Sequence, residues 1–157
     1  MSFDSIKHAY EQFALKSFDR MYLALDIHGT VADSDYLHVS HSLYSVAIQP
    51  LPVISHLPEV CIILYSCCHP EDYASYFKLF QEHNICVKYF NENPEVTNTQ
   101  TGCFDVKFYY NLIFEDKGVP GFEPSLWPGV CDAFLTYRQF NPRVRQLFPD
   151  SFDNLTH

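Results

Sequence analysis

Apolar and polar residues follow one another in blocks whose spacing predicts both strands and helices. Short, nearly continuous apolar runs that end in polar or charged residues are typical of strands inside a parallel sheet. Such runs occur at residues 21–26, 60–66, 85–91 and 110–116. Apolar positions at helical spacing predict helices at residues 3–16, 50–57, 70–84 and 129–140. Strands that alternate with helices predict an α/β fold.

The same alternation predicts how the chain is organised. We expect a single domain over residues 1–157, with the helix at 3–16 preceding a core at about 20–140. Helices that cover both faces of a mostly parallel sheet would form a three-layer sandwich with a Rossmann-like sheet. The segments 92–104 and 117–128 are rich in Gly, Pro, Asn and Thr, and they are predicted to be loops.

The net charge and the lengths of the apolar runs argue against two classes of binding partner, nucleic-acid backbones and membranes. Ten Lys and Arg stand against nineteen Asp and Glu, which gives a net charge of -9. A general binder of nucleic-acid backbones needs clustered Lys and Arg, so this class is not expected. No apolar run reaches the roughly 18 to 20 residues of a membrane helix. The charged N-terminal sequence "MSFDSIKHAYEQFALKSFDR" resembles neither a signal peptide nor an anchor, so we expect no membrane partner.

The cysteines favour a reducing, cytoplasmic location. Six are present, at positions 61, 67, 68, 86, 103 and 131, and their spacing suits reduced thiols better than a disulfide framework. The triplet Cys67-Cys68-His69 admits a zinc site or a redox thiol at a helix start. Inert cysteines are the favoured interpretation, because adjacent cysteines are awkward zinc ligands and no C-x2-C partner exists.

Polar side chains stand where the predicted strands end. The carboxyl ends of parallel strands meet at one edge of a sheet, where ligands bind. Here those ends carry Asp26, Ser66, Asn91 and the pair Glu115–Asp116. An aspartate can attack phosphorus and form an aspartyl-phosphate, which splits hydrolysis into two easier displacements. Mg²⁺ would hold such a nucleophile beside an anionic phosphate through one or two carboxylates.

Donors for the developing negative charge are also available. The Ser66 hydroxyl, the Lys107 ammonium and the turn amides after Asp26 could bind the phosphoryl oxygens. Gly29 would let that turn approach a phosphate closely. These residues together predict a phosphoryl-transfer site at the edge of the sheet.

The order of these motifs resembles the haloacid dehalogenase-like superfamily of phosphohydrolases. That family begins with an apolar strand ending in Asp-x-Asp-Gly-Thr, and "LALDIHGT" at 23–30 matches it except at one position. A second strand then ends in Ser or Thr, as "IILYS" does at Ser66. A Lys and a strand ending in an acidic pair follow, as Lys107 and "LIFED" do here. The resemblance covers about residues 20–130.

The resemblance implies a role for each matching residue. Asp26 would be the nucleophile and a Mg²⁺ ligand, Ser66 and Lys107 would hold the phosphoryl group, and Asp116 would complete the metal site. Glu115 would ligate the metal directly or through water. Gly29 and Thr30 would belong to the phosphate-binding turn.

His28 is the departure from the family pattern. It stands where the usual second Asp acts as general acid to the leaving group and then as base to water. That position contacts the metal through its backbone carbonyl, which any residue supplies, so His28 remains a metal-site residue. An imidazole with an ordinary pKa of about 6.5 is a competent acid–base group. An imidazolium beside Mg²⁺ would be electrostatically disfavoured.

These features predict a Mg²⁺-dependent phosphomonoester hydrolase. The segment 31–49 is too short for a large cap domain, so the pocket would be open unless another subunit of a homo-oligomer covers it. An open pocket admits bulky substrates, such as a nucleotide or a nucleic-acid end, besides phosphorylated small molecules. The alternative is a catalytically reduced phosphate- or nucleotide-binding or protein-interaction module that keeps the fold.

Plainer interpretations exist for each residue. Asp26 would then be a turn carboxylate, His28 a structural or solvated imidazole, and Ser66 a strand-terminal hydroxyl. Lys107 would be a solvated lysine, and the sequence Glu115-Asp116-Lys117 an ordinary charged turn.

Overall fold

The computed structural model describes residues 3–16, 18–33 and 42–155, and within these residues it shows an α/β fold. The segment 31–49, expected to hold no large cap, is only partly covered, because residues 34–41 lie outside the described residues. None of the helices in the described part of the chain has the length and apolarity needed to cross a membrane.

A four-stranded parallel sheet forms the centre of the fold. Its strands are β1 (Met21–Asp26), β2 (Val60–Tyr65), β3 (Tyr89–Phe90) and β4 (Leu112–Phe114). The order across the sheet is β3-β2-β1-β4, so β1 lies between two parallel neighbours. The predicted parallel sheet is therefore confirmed.

The two edge strands are shorter than the apolar runs that predicted them. In the third run, the amide of Ile85 donates to the Phe80 carbonyl at 3.0 Å, and the amide of Cys86 donates to the Ser55 hydroxyl at 3.0 Å. The first bond lies at the end of a helix and the second fixes a loop, so neither amide pairs with β2. Pairing is left to Tyr89–Phe90, flanked by bonds from Lys88 and Asn91 to β2.

Six α-helices are described, and four of them match predicted helices, whereas the helices Ser45–Ile48 and Pro142–Leu147 were not predicted. They are α1 (Asp4–Lys16), α2 (Ser45–Ile48), α3 (Pro50–Ser55), α4 (Tyr73–Glu82), α5 (Trp127–Gln139) and α6 (Pro142–Leu147). Short 3-10 turns occupy Pro70–Asp72, Pro124–Leu126 and Pro149–Leu155. Prolines stand in the first turn of several of these elements, where a missing amide hydrogen costs nothing.

The helices pack on one face of the sheet. Leu23 on β1 lies opposite Ile62 on β2 and Leu112 on β4, and all three side chains join the main core. Apolar side chains of α1, α3, α4 and α5 complete that core, with Phe13, Ile54, Phe80, Phe134 and Trp127 fully buried. Removal of this apolar surface from water is the main stabilising term of the fold.

The opposite face has a different cover. Tyr22, Cys61 and Ile63 pack there against aromatic side chains of the segment 92–111. Ring pairs such as Phe18–Tyr109, with centroids 5.0 Å apart, build this layer. The segment contains no described helix, because its Pro, Gly, Asn and Thr residues disfavour one. Residues 92–111, which we call the aromatic segment, therefore cover the face of the sheet where the sequence predicted a layer of helices.

A buried ion pair joins the sheet to the helices. The Glu59 side chain is fully buried before β2, and Arg138 on α5 is 4% exposed. Arg138 Nε donates to Glu59 Oε1 at 2.7 Å and Nη2 to Oε2 at 3.2 Å, while the Tyr10 hydroxyl donates to Oε1 at 3.0 Å. Arg138 also donates to Ser151 Oγ at 2.9 Å. The Glu59 carboxylate thus connects α1 with α5, and Arg138 extends this network to the C-terminal segment.

Replacement of Glu59 by Gln should destabilise the protein by about 3–5 kcal/mol, because Arg138 would stay buried without a counter-charge. Urea unfolding followed by circular dichroism measures this loss. The control is Glu82→Gln, which removes an exposed pair with Lys78 at 3.9 Å and should change stability by less than about 1 kcal/mol. Equal effects of the two substitutions would contradict the structural role of Glu59.

Candidate functional site

Three strand ends converge at the carboxyl edge of the sheet. Asp26 lies opposite Tyr65 in the register of β1 and β2, and Ser66 follows directly. Leu25 lies opposite Phe114 of β4, so Glu115 and Asp116 begin one step beyond that pair. The structure therefore brings the predicted carboxylates and the predicted hydroxyl to one edge. We call Asp26, His28, Gly29, Thr30, Ser66, Glu115 and Asp116 the strand-end site.

A tight turn follows Asp26. The carbonyl of Ile27 accepts hydrogen bonds from the amides of Val31 and Ala32, at 3.0 and 2.9 Å. The Thr30 side chain is fully buried, and its hydroxyl donates to Asp26 Oδ2 at 3.1 Å. Trp127 Nε1 donates to the Thr30 carbonyl at 2.9 Å. The turn is thus anchored to α5, and Thr30 holds the carboxylate of Asp26.

Gly29 is required in this turn for two reasons. Its φ of 80° lies in the left-handed region that disfavours other residues. A Cβ at this position would also overlap the carboxylate of Asp116. Asp116 is held from its own side, because the Glu115 carbonyl accepts the amide of Phe122 at 2.8 Å. The absence of a side chain at Gly29 therefore lets the β4 carboxylate reach the turn after β1.

Burial and neighbouring negative charges make the ionisation of Asp26 more costly. The pKa of Asp26 is raised to about 6, mainly by burial and further by the negative charges of Asp116 and Glu115. Hydrogen bonds from Thr30 and from the backbone at Ile27 act in the opposite direction. This environment favours either protonation of Asp26 or binding of a cation next to its carboxylate.

His28 contacts a residue of the helical layer. Its Nε2 lies 2.9 Å from the hydroxyl of Tyr76 on α4, and the two rings meet edge to face. The pKa of His28 is lowered by burial and by the positive charge of Lys117. The negative charge of Asp116 acts in the opposite direction and raises this pKa. His28 is therefore neither a fully solvated imidazole nor an isolated one.

Ser66 is held by a residue to which the sequence assigned no role. Asn91 directly follows β3 and has a φ of 54°. Its Oδ1 accepts the Ser66 amide at 2.9 Å, and its Nδ2 donates to the Ser66 carbonyl at 2.6 Å. Nδ2 also donates to the Tyr73 hydroxyl at 2.8 Å. The Ser66 hydroxyl accepts the amide of Cys68 at 3.3 Å. The position of Asn91 at a predicted strand end was the only sequence signal for these hydrogen bonds to Ser66.

Lys107 lies outside this group of contacts. Its side chain is exposed, and its Nζ lies 5.4 Å from the ring centroid of Tyr110 in the aromatic segment. Among the described residues, its contacts include no carboxylate of the strand-end site. Lys117 is instead the lysine whose charge acts on His28, although the sequence suggested it only as part of a charged turn.

The donor set can be compared with the needs of Mg²⁺. Within the described ranges, no group of three or more His, Cys, Asp or Glu side chains surrounds a common point. Mg²⁺ usually keeps several waters and takes only one or two protein carboxylates. Asp116 lies against Gly29 and its charge acts on Asp26, so these two carboxylates are the donors available for that smaller requirement. The donor chemistry therefore fits a largely hydrated Mg²⁺ ion better than a fully enclosed metal.

The cysteines beside the site are free thiols. Cys67 is exposed, whereas burial raises the pKa of the half-buried Cys68. A raised pKa disfavours the reactive thiolate. This environment supports the inert interpretation of Cys68.

No family model matches the chain, and neither a curated protein nor a solved structure matches it significantly. Residues of the strand-end site and their geometry therefore carry the functional interpretation.

Asp26→Asn should stabilise the metal-free protein at neutral pH. A carboxyl with a raised folded pKa favours folding fully below its unfolded value of about 4 and loses that contribution as pH rises through about 6. Asn carries no charge and can still accept from Thr30. After discounting for partial solvent exposure, we expect a gain of roughly 1–2 kcal/mol above pH 6.5.

Urea unfolding in EDTA at several pH values measures this gain, with Asp132→Asn on the exposed surface of α5 as the control. The gain should shrink as pH falls from about 6 to about 4. A gain that grows in that direction would contradict the electrostatic description of the site.

Proposed function

We propose that the protein is a Mg²⁺-dependent phosphomonoester hydrolase that acts through an aspartyl-phosphate at Asp26, as a member of the haloacid dehalogenase-like superfamily. The observation that carries the proposal is the packing of Asp116 against Gly29 in the turn that follows Asp26. The proposal includes a Rossmann-like sheet in a three-layer arrangement, with the aromatic segment as the third layer.

Asp26 performs the first displacement. Its carboxylate oxygen forms a bond to phosphorus while the bond from phosphorus to the ester oxygen breaks, and the alcohol leaves with a proton. Water then attacks the phosphorus, the acyl-phosphate bond breaks, and inorganic phosphate leaves. Thr30 supports this role because its hydroxyl orients Asp26. Mg²⁺, when bound by Asp26 and Asp116, neutralises negative charge on the phosphoryl group.

Phosphoryl oxygens need donors near Asp26. Ser66 supplies a hydroxyl from the neighbouring strand, in a position fixed by Asn91. The resemblance assigns a second contact to Lys107, which lies on the aromatic segment beside Tyr110. Lys117 is the second candidate for this cation because its charge already acts on His28. Separate Lys107→Met and Lys117→Met variants distinguish them, since loss of the phosphate-binding cation raises KM.

His28 takes the place of the family's second Asp in proton transfer. In the first step its imidazole donates a proton to the leaving oxygen, and in the second it accepts one from water. The support is positional, because His28 follows the nucleophile by two residues and its ring lies within the electrostatic reach of Asp116.

The expected substrates are a phosphorylated small molecule, a nucleotide or a nucleic-acid end. The net charge of -9 disfavours long stretches of nucleic acid, whose backbone needs clustered cations. A terminal phosphate needs only the local donors of the strand-end site. A second copy of the chain would be the partner that covers an open pocket.

Purified protein with Mg²⁺ should release phosphate from an aryl phosphate, and EDTA should abolish the release. Asp26→Asn should lower kcat roughly a thousandfold or more, because it removes the nucleophile while the fold stays intact. Asp132→Asn, an exposed aspartate on α5, is the matched control and should retain full activity. Colorimetric phosphate detection measures both variants.

The His28→Asp variant separates the proposal from its alternative. A hydrolase should keep activity in this variant, which restores the family pattern. Binding of Mg²⁺ and a nucleotide without phosphate release, in wild type and in His28→Asp alike, would contradict hydrolysis and favour the binding module.

A further inference from the structure

An exposed tyrosine lies beside Asp26 in the sheet. Tyr65 ends β2 and is the register partner of Asp26 at the end of β1. Side chains alternate between the two faces of a strand, so both residues lie on the face that also holds Tyr22 and Ile63. Every earlier residue of β2 is buried, whereas Tyr65 is 36% exposed. The sheet therefore presents an accessible aromatic ring one strand away from the proposed nucleophile.

Two rings of the aromatic segment pack next to Tyr65. The ring centroids of Tyr65 and Phe108 are 6.1 Å apart, and those of Phe108 and Tyr110 are 5.9 Å apart, both pairs edge to face. Phe108 and Tyr110 are half-buried against the sheet, which holds them in place. Asp26 and Tyr110 both lie within electrostatic reach of Tyr65. We call Tyr65, Phe108 and Tyr110 the aromatic platform.

Covering the sheet does not by itself explain an exposed ring at this edge. At the other end of the same face, Tyr22 is 4% exposed and its hydroxyl donates to Glu95 at 3.5 Å. Phe18 and Tyr109 pack edge to face against the Tyr22 ring. The aromatic cover is thus closed at the start of β1 and open at its end, where Asp26 lies. An accessible aromatic surface beside polar groups suits the planar part of a ligand.

A cation stands next to the aromatic platform. Lys107 Nζ lies 5.4 Å from the ring centroid of Tyr110, and the lysine side chain is exposed. Aromatic rings combined with basic side chains are typical of surfaces that bind the bases of nucleic acids. A nucleobase offers a flat face to the rings and carbonyl or ring-nitrogen acceptors to an ammonium group. A phenyl group offers only the flat face, so the combination favours a base.

We propose that the aromatic platform binds the base of a nucleoside monophosphate whose phosphate lies at Asp26. This inference rests on the proposed function and narrows its substrates to the nucleotide. Neighbouring strands lie about 4.8 Å apart, so a single ribose can join a phosphate at Asp26 to a base at Tyr65. The base then stacks on the platform, with Lys107 available to its acceptors.

Binding to the full-length protein in Mg²⁺ tests the platform without turnover. The probes are phosphonate analogues of adenosine 5′-monophosphate and of ribose 5-phosphate, in which carbon replaces the ester oxygen. Calorimetry should show that the adenosine compound binds roughly tenfold more tightly, because stacking adds to the phosphate contacts. Tyr65→Leu should remove most of this difference, whereas Tyr65→Phe, which keeps the ring, should retain it.

The matched control is Phe140→Leu, which removes a ring that is 75% exposed after the last residue of α5. The difference between the two analogues should persist in this variant. Equal binding of the two analogues by the wild type would overturn the inference even if Tyr65→Leu failed to fold. A difference that survives in folded Tyr65→Leu would overturn it as well. Benzylphosphonate binding as tightly as the adenosine compound would overturn the assignment to a base.

Hydrolysis separates this inference from the proposed function. The wild type should hydrolyse adenosine 5′-monophosphate with a kcat/KM roughly tenfold above that for ribose 5-phosphate, and Tyr65→Leu should lower this ratio. Phosphate release from both compounds at equal kcat/KM would overturn base binding and leave the hydrolase in place. Tighter, Tyr65-dependent binding of the adenosine analogue without any phosphate release would support base binding and overturn hydrolysis.

Discussion

Parallel pairing of β1 with both of its neighbours is the constraint on which the site depends. Each neighbour runs in the same direction as β1, so all three strands deliver their following residues to one edge. Asp26, Ser66 and the pair Glu115–Asp116 meet there although up to 90 positions separate Asp26 from Asp116 in the chain. The buried Glu59–Arg138 pair holds α5 against the start of the sheet. The same helix anchors the turn after Asp26 through Trp127.

The carboxyl edge of the sheet brings together carboxylates that repel one another. Asp26 and Asp116 are brought together by a glycine with a positive φ, and the pKa of Asp26 is raised by burial and by its acidic neighbours. An arrangement selected only for stability would separate these charges. A bound divalent cation would make the same cluster favourable, because its positive charge would offset the carboxylates and the negative charge of a phosphate beside them. The cost to stability is therefore consistent with a role in binding or chemistry.

Much of the fold followed from apolar periodicity, and the exceptions have local causes. The central strands β1 and β2 match the predicted runs closely, because both are buried on either side. β3 is short because Ile85 and Cys86 use their amides for other bonds, which no hydrophobic pattern reveals. The helical cover expected on the second face is an aromatic segment instead, because aromatic side chains can shield a sheet without regular backbone.

The sequence predicted the strand-end residues better than the contacts that position them. Asp26 and Asp116 could be located from motif order, since Asp26 ends the apolar strand β1 and Asp116 belongs to the acidic pair that follows β4. Tyr76 and Asn91 could not be assigned their roles, because hydrogen bonds to His28 and Ser66 depend on how α4 and β3 pack. The phosphate contact suggested by the spacing of Lys107 stays a prediction, and its described neighbour is Tyr110.

Chemical trapping of the covalent intermediate tests the central claim most directly. Protein mixed with Mg²⁺ and an aryl phosphate would be quenched with borohydride, which reduces an aspartyl-phosphate to homoserine, and peptides would then be analysed by mass spectrometry. The account predicts homoserine at position 26 alone, and only when both Mg²⁺ and substrate are present. Reduction at another aspartate, or phosphate release with position 26 unmodified, would contradict it.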